Sequence, residues 1–350
     1  MFFTGDIAQP LSSVKLPDNP PNGGIWVGNL EGSLIDANSE YGKGVYNNLE
    51  AIRDLCSRIP FRAFGIANNH LLDSASVETT LTNAKRLDVP SCGSGNSLKE
   101  AQKSIIINDN DGTSYRVLAF GWENIQCIPA TYRRQGVNPY TKSNVLECVK
   151  EELQYNEPVI CFMHWDYELE RYPQPYDREL AMDLIDMGVF AVIGCHAHRV
   201  QPVEFYKGRP IAYGLGNFLF YQGHYFDGKL RFPKFCEEEY VFEIKDGGNK
   251  FALHHFHYDS EQNKLEFVKS EDISADKNFE GKAEFTGFKA KEYEEWFKIH
   301  RVQKKLLPIF KSHETNASYF VKSIWIKVRG KMINLLTKAN IKSANRANRQ

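Results

Sequence analysis

Short apolar runs recur along the first 194 residues: FFTG, GIWVGN, FRAFGIA, SIIIN, YRVLAFG, PVICFM and VFAVIG. Each has the length of a strand. Between several of them, residues 46–57, 74–87, 143–154 and 177–187 place apolar side chains at helical spacing. Strands that alternate with amphipathic helices bury both faces of a sheet, so the chain is expected to be a layered α/β protein. With 350 residues, 42% of them hydrophobic, it is long enough for one large core with appendages.

After residue 200 the pattern changes. In PVEFYKGRPIAYGLGNFLF the Lys207-Gly208 pair separates two strand-like runs and predicts a hairpin, and Gly247-Gly248 does the same within EEYVFEIKDGGNKFALHHFHYD. From about residue 288 the pattern is helical, with Pro308 and Gly330 as expected interruptions. The expected organisation is a domain over residues 1–285, its β extension beginning near 223, and a helical, basic tail over 286–350.

Polar residues able to bind metal follow the strand-like runs: Asp6, Glu31, Asn69 with His70, His164, and His196 with His198. In α/β sheets the loops at the carboxyl ends of strands form the ligand crevice, so these separate segments are expected to converge. Imidazole and carboxylate together suit borderline divalent metals such as zinc, manganese and iron, and a bridging carboxylate can hold two ions about 3.5–4 Å apart. Alternation in an extended segment would turn both rings of His196-x-His198 to one side and Cys195 to the other, into the core.

The ordered series GD (5–6), NLE (29–31), ANNHxxD (67–73), HWxxE (164–168), GxHxH (194–198) and GLGNFLF (214–220) resembles the CapA family, also called the poly-γ-glutamate synthesis family, of the calcineurin-like metallophosphoesterase superfamily. The resemblance covers roughly residues 1 to 222. It implies a four-layer αββα sandwich with two divalent ions (Mn, Fe or Zn) between the sheets, and a hydrolase of a phosphoester or an amide in capsule, polyglutamate or cell-envelope polysaccharide synthesis. By motif, Asp6 and His198 would bind the first ion, Glu31 would bridge, and Asn69, His164 and His196 would bind the second. His70 would be the general acid, held by a carboxylate that the sequence does not single out. Asn68, Asp73, Trp165, Glu168 and Asn217, from the same motifs, are expected to support the site or bind substrate. Two departures stand out: Ala8 replaces the histidine of the superfamily's Asp-x-His pair, and Asp166 stands where this family often has glycine. A non-catalytic assembly role in a capsule complex is the competing reading.

Seven cysteines without CxxC spacing, several in apolar runs, read as reduced core thiols of a cytoplasmic protein. No apolar run reaches the length of about 18 residues needed to span a bilayer. The net charge of -1 conceals a split, because residues 316–350 carry eight Lys or Arg and no acid, which leaves -9 for the remainder. Nucleic acid is therefore a poor partner for the body. Two readings of the tail stay open: a terminal helix packed on the body, or a peripheral helix on the inner face of an anionic membrane. His254, His255 and His257 are expected on the solvent face of a strand and not as ligands.

Overall fold

The computed structural model describes residues 1–11, 14–36, 44–302 and 306–338. Two mixed sheets dominate it. The first runs in the order Lys264–Ile273, Lys250–Asp259, Glu238–Lys245, Phe2–Ala8, Trp26–Leu30, Phe61–Gly65 and Ser91–Cys92, with Leu219–Phe220 also paired to Phe2–Ala8. The second runs Val203–Tyr206, Arg209–Ala212, Ala191–Cys195, Val159–His164, Ser114–Gly121 and Ile105–Asn108. The sheets face each other across an apolar layer in which the ring of Phe3 meets Phe162 edge-on at 5.9 Å.

Helices Lys142–Glu152 and Pro175–Met187 pack on the second sheet. Leu49–Arg58 buries Leu49, Ile52 and Leu55 in the same core as the first sheet. Each helix starts where its sequence says it should. Asn48, Ser76 and Thr141 accept backbone hydrogen bonds as N-caps, and Pro175 opens a helix in the first turn, where a missing N–H costs nothing. The result is the expected α/β sandwich. The hairpin at Lys207-Gly208 forms, with Val203–Tyr206 antiparallel to Arg209–Ala212.

The strands flanking the interface of Phe2–Ala8, Trp26–Leu30 and Phe61–Gly65 are parallel, as are those of Ser114–Gly121, Val159–His164 and Ala191–Cys195. Parallel neighbours end on the same side. Their carboxyl-terminal loops are thereby gathered along one edge of each sheet.

Two expectations fail downstream. His254 and His255 are buried, not solvent-facing, because the Phe2 ring packs 5.5 Å from His254 on one face of the strand and the Tyr240 ring 4.9 Å from His255 on the other. His254 lies 2.9 Å from Glu243 and 2.6 Å from Ser270, and His255 lies 2.9 Å from Glu271. Gly330, expected to interrupt the tail helix, lies inside an unbroken helix, Asn316–Lys338, since a single glycine costs only about 1 kcal/mol there. The preceding helix, Ala290–His300, sinks Tyr293 and Phe297 into the core. Residues 339–350, which carry the last three basic residues of the tail, lie outside the described residues.

Candidate metal centre

Asp6 lies within the strand Phe2–Ala8 and not after it, and the glycine that precedes it is there for a steric reason. A Cβ at Gly5 would stand 1.9 Å from the carbonyl oxygen of Gly216, and the Asp6 N–H donates to that oxygen at 3.0 Å. Only glycine lets the two segments touch there. The Asp6 side chain is fully buried and faces the second sheet's loops: Oδ2 lies 3.1 Å from His198 Nδ1 and accepts from the His196 N–H at 3.3 Å.

Glu31, just after Trp26–Leu30, is also fully buried. Its Oε2 lies 3.5 Å from His164 Nε2, and its Oε1 has no hydrogen-bond partner among the described residues. Asn69 Oδ1 approaches the same His164 nitrogen at 2.8 Å. The rings of His164 and His196 stand 4.7 Å apart, and those of His196 and His198 5.5 Å apart. Six residues from five separate segments thus meet, five of them buried and Asn69 half-buried.

The histidine pair arrives there by a different route from the expected one. The strand ends at Cys195, and His196 and His198 both adopt left-handed backbone (φ 88° and 54°) in the turn that follows. Alternation along an extended segment therefore does not apply. For the same reason Cys195 is buried but does not turn away from the site: its Sγ lies 3.3 Å from His164 Nδ1, and with Asp6 and His164 it forms a group whose ligand atoms all lie within 4.8 Å of one another. Its thiol donates to the Met163 carbonyl, and burial, followed by the charges of Asp6 and Glu31, pushes its pKa far up. Cys195 is a protonated neighbour of the centre rather than a thiolate.

Electrostatically the site is prepared for cations. Burial, followed by the charge of Asp6, drives the Glu31 carboxyl well above its usual range. At Asp6 burial also works against ionisation, but the hydrogen bond and charge of His198 outweigh it and hold that carboxyl below its usual value. Burial lowers His164 to about 3, so it stays neutral and keeps a lone pair for a metal. A buried pair of acids beside neutral imidazole is costly without a cation between them.

His70 sits slightly outside this cluster. Its Nδ1 donates to Asp73 Oδ2 at 2.6 Å, which identifies the orienting carboxylate that the sequence left open. Asn68 positions both neighbours: Oδ1 accepts from the N–H groups of Gly32 and His70, and Nδ2 donates to the Leu30 carbonyl. It clips the Glu31 loop to the His70 loop.

The remaining expected residues divide. Asn217 Oδ1 lies 2.9 Å from His198 Nδ1, within the site. Glu168 adds to the charge that raises Glu31. Trp165 is buried and donates to the Tyr213 carbonyl, so its indole serves packing. Asp166 adopts φ 63°, a conformation open to glycine and tolerated by Asp, and ties Gln201 and Gln174 with its carboxylate. One residue escaped sequence reasoning: Asn29, whose Nδ2 donates to Asp6 at 2.8 Å and to Glu31 at 3.1 Å. Its position two before Glu31 on the same strand face was the available signal.

The family model described as bacterial capsule synthesis protein PGA_cap matches residues 21–222, more than half of the chain. The chain belongs to that family. Among curated PGA_cap-like proteins, the PGA biosynthesis protein CapA of Bacillus subtilis is 29% identical over 178 residues, covering 50% of this chain and 47% of that one. The capsule biosynthesis protein CapA of Bacillus anthracis is 30% identical over 169 residues, covering 47% and 41%. The chain spans about half the length of the curated relatives it matches. Among solved structures, Haemophilus influenzae NAD nucleotidase aligns with a TM-score of 0.30 at 14% identity, covering 78% of this chain and 50% of that one, a likeness too slight to reason from.

The residues of this PGA_cap chain fit a metal pair on their own chemistry. Two ligand atoms each about 2.0–2.2 Å from one ion stand roughly 3.0–3.5 Å apart at the usual angles. The spacings of 3.1 Å for Asp6 to His198 and 3.5 Å for Glu31 to His164 fall in that range, whereas the 2.8 Å from Asn69 to His164 is a hydrogen-bond distance. Position 8 contributes nothing: Ala8 packs into an apolar cluster with Val45, Phe220 and Phe232, and the Phe232 ring lies 4.4 Å from that of His198.

Proposed function

We propose that the protein is a metal-dependent hydrolase of capsule, poly-γ-glutamate or cell-envelope polysaccharide synthesis, cleaving a phosphoester or an amide. The observation that carries this reading is the buried meeting of Asp6, Glu31, Asn69, His164, His196 and His198, with a carboxylate oxygen of Glu31 left without a hydrogen bond among the described residues. Asp6 and His198 would hold the first of two ions (Mn, Fe or Zn), Asn69, His164 and His196 would hold the second, and Glu31 would be shared between them. Asn217 Oδ1, 2.9 Å from His198 Nδ1, would orient that ring. Such ions, when bound, lower the pKa of a water and stabilise charge on a phosphoryl or carbonyl oxygen.

The chain's own groups carry the proton. Asp73 holds the Nδ1–H of His70, which fixes the ring, and the Nε2 proton passes to the leaving oxygen or nitrogen as its bond to phosphorus or carbon breaks. Asn68 keeps that imidazole and Glu31 in register. The proposed catalytic unit, residues 1–285, includes Glu238–Lys245, which pairs directly with the strand bearing Asp6.

A second reading is supported by Ala8 and by relatives named for biosynthesis: an assembly protein that keeps the site for structure. Metal analysis after loading with manganese, iron or zinc separates the two. About two equivalents per chain, with hydrolysis of a chromogenic phosphodiester or glutamyl amide, supports the hydrolase. About one equivalent points to a first site weakened by Ala8. A chain that takes up none of the three metals is the assembly protein.

A further inference from the structure

The tail helix, Asn316–Lys338, touches the body along a narrow stripe. The Tyr319 hydroxyl accepts from the Trp122 indole N–H at 2.6 Å, the Tyr319 ring lies 5.0 Å from Phe310, and Ile326 is partly buried against the core. Trp325 donates to the Leu306 carbonyl from one margin. At 3.6 residues per turn, Val321, Ile324, Val328, Met332 and Leu335 fall on the side opposite Tyr319 and Ile326. All five are exposed, as is Phe320; Val321 and Phe320 stand at 65% and Leu335 at 67%. A soluble face would carry polar residues there.

Charge frames this apolar arc. Lys327 and Lys331 border it on one side and Arg329 on the other, and residues 316–350 contain no acid, whereas the rest of the chain is strongly acidic. Lys327 pairs with Glu123, a solvent-exposed ion pair of the weak kind. The arc is about 24 Å long from Phe320 to Leu336. No helix among the described residues is long and apolar enough to cross a membrane. A basic helix of this pattern lies in the interface with its apolar side among the acyl chains and its cations at anionic headgroups.

We propose that Asn316–Lys338 docks the protein on the surface of an anionic lipid bilayer. The inference is independent of any hydrolytic activity. It also orients the molecule: Trp122, which holds Tyr319, follows the Ser114–Gly121 strand and donates its backbone N–H to the His164 carbonyl at 3.1 Å. The helix is therefore mounted at the carboxyl-end edge of the second sheet, the edge that carries the candidate centre, and docking brings that edge toward the lipid.

Co-sedimentation of the full chain with phosphatidylcholine vesicles, with and without phosphatidylglycerol, tests this. The full chain is expected to pellet with the anionic vesicles at low salt and to be released by high salt. Val328→Glu/Leu335→Glu should lose pelleting by tenfold or more, and Lys327→Ala/Lys331→Ala by roughly 25-fold, at about fivefold per basic residue. Circular dichroism and thermal melts establish that both variants remain folded; a variant that does not is replaced by truncation after Asn316. A full chain that ignores anionic vesicles overturns the proposal, as does equal pelleting of wild type and Val328→Glu/Leu335→Glu. A wild-type dimer in sedimentation velocity that this variant dissociates, without lipid binding, overturns it in favour of a contact between copies.

Discussion

The candidate centre and the tail helix break the usual partition of residues in opposite directions. In the centre, Asp6, Glu31 and His164 are ionisable and almost wholly buried; on the helix, Phe320, Val321 and Leu335 are apolar and mostly exposed. Either departure costs stability if nothing answers it. Buried charge is answered by a cation or by the histidines opposite it, and exposed apolar surface by something outside the chain. The contrast separates buried charge, which the fold lines with histidines, from apolar surface that the described residues leave exposed.

The sharpest way to break the comparison is at His70. If the buried centre is catalytic, His70→Ala lowers turnover by about 10²–10⁴-fold while metal content is unchanged, because a general acid is not a ligand. Asp73→Asn should lower turnover less, through misorientation of the ring. Metal content measured alongside rates decides it: loss of metal from His70→Ala equal to that from His196→Ala would refute the separation of roles.

A smaller effect concerns a buried acid outside the centre. Burial raises Asp177 to about 7, even with the Tyr140 hydroxyl donating to it at 2.7 Å. The unfolded chain releases this proton near the ordinary carboxyl value and the folded chain near 7, so between those values the folded state binds more protons and stability falls as pH rises. The span amounts to a few kcal/mol, at about 1.4 kcal/mol per unit. Asp177→Asn should flatten that decline in urea melts taken at acidic and at mildly alkaline pH. A wild-type midpoint that rises through this interval in step with the variant's would remove Asp177 from the account.

The smallest effect is expected on the helix. Val328→Glu or Leu335→Glu should change the stability of the lipid-free protein by no more than about 0.5 kcal/mol, as for exposed positions generally. A loss of several kcal/mol in a thermal or denaturant melt would mean that the arc is covered by the protein itself, and the contrast with the centre would disappear.

Much of the site was legible because strand-end position and residue chemistry are both local properties. Asp6, Glu31, Asn69, His164, His196 and His198 could be singled out one by one, and the structure gathers them. The partner of His70 was not legible, since Asp73 becomes its partner only through the turn from Asn68 to Asp73. The route of the histidine pair was misread because a strand's end is set by pairing: Cys195 is the last residue with a partner, at His164. His254 and His255 were misplaced for a related reason, as whether a strand's face is covered depends on residues outside the strand, here Phe2 and Tyr240.

By itself, then, the sequence determined the alternation of strands and helices, the capped helix starts, the order of the ligand types and the greasy, basic stripe of the tail, all of which depend on residues within a turn or a strand of one another. The tertiary structure decided which faces were covered. Periodicity can place Val321, Ile324, Val328, Met332 and Leu335 on one side of a helix, but only packing reveals that Tyr319 and Ile326 take the side against the body and leave the other to solvent. Likewise only the pairing of Phe2–Ala8 with Trp26–Leu30 brings Asn29 between Asp6 and Glu31, and only the approach of the two sheets sets both acids before His164 and His198, because burial and pairing are properties of contacts between segments that the chain itself keeps far apart.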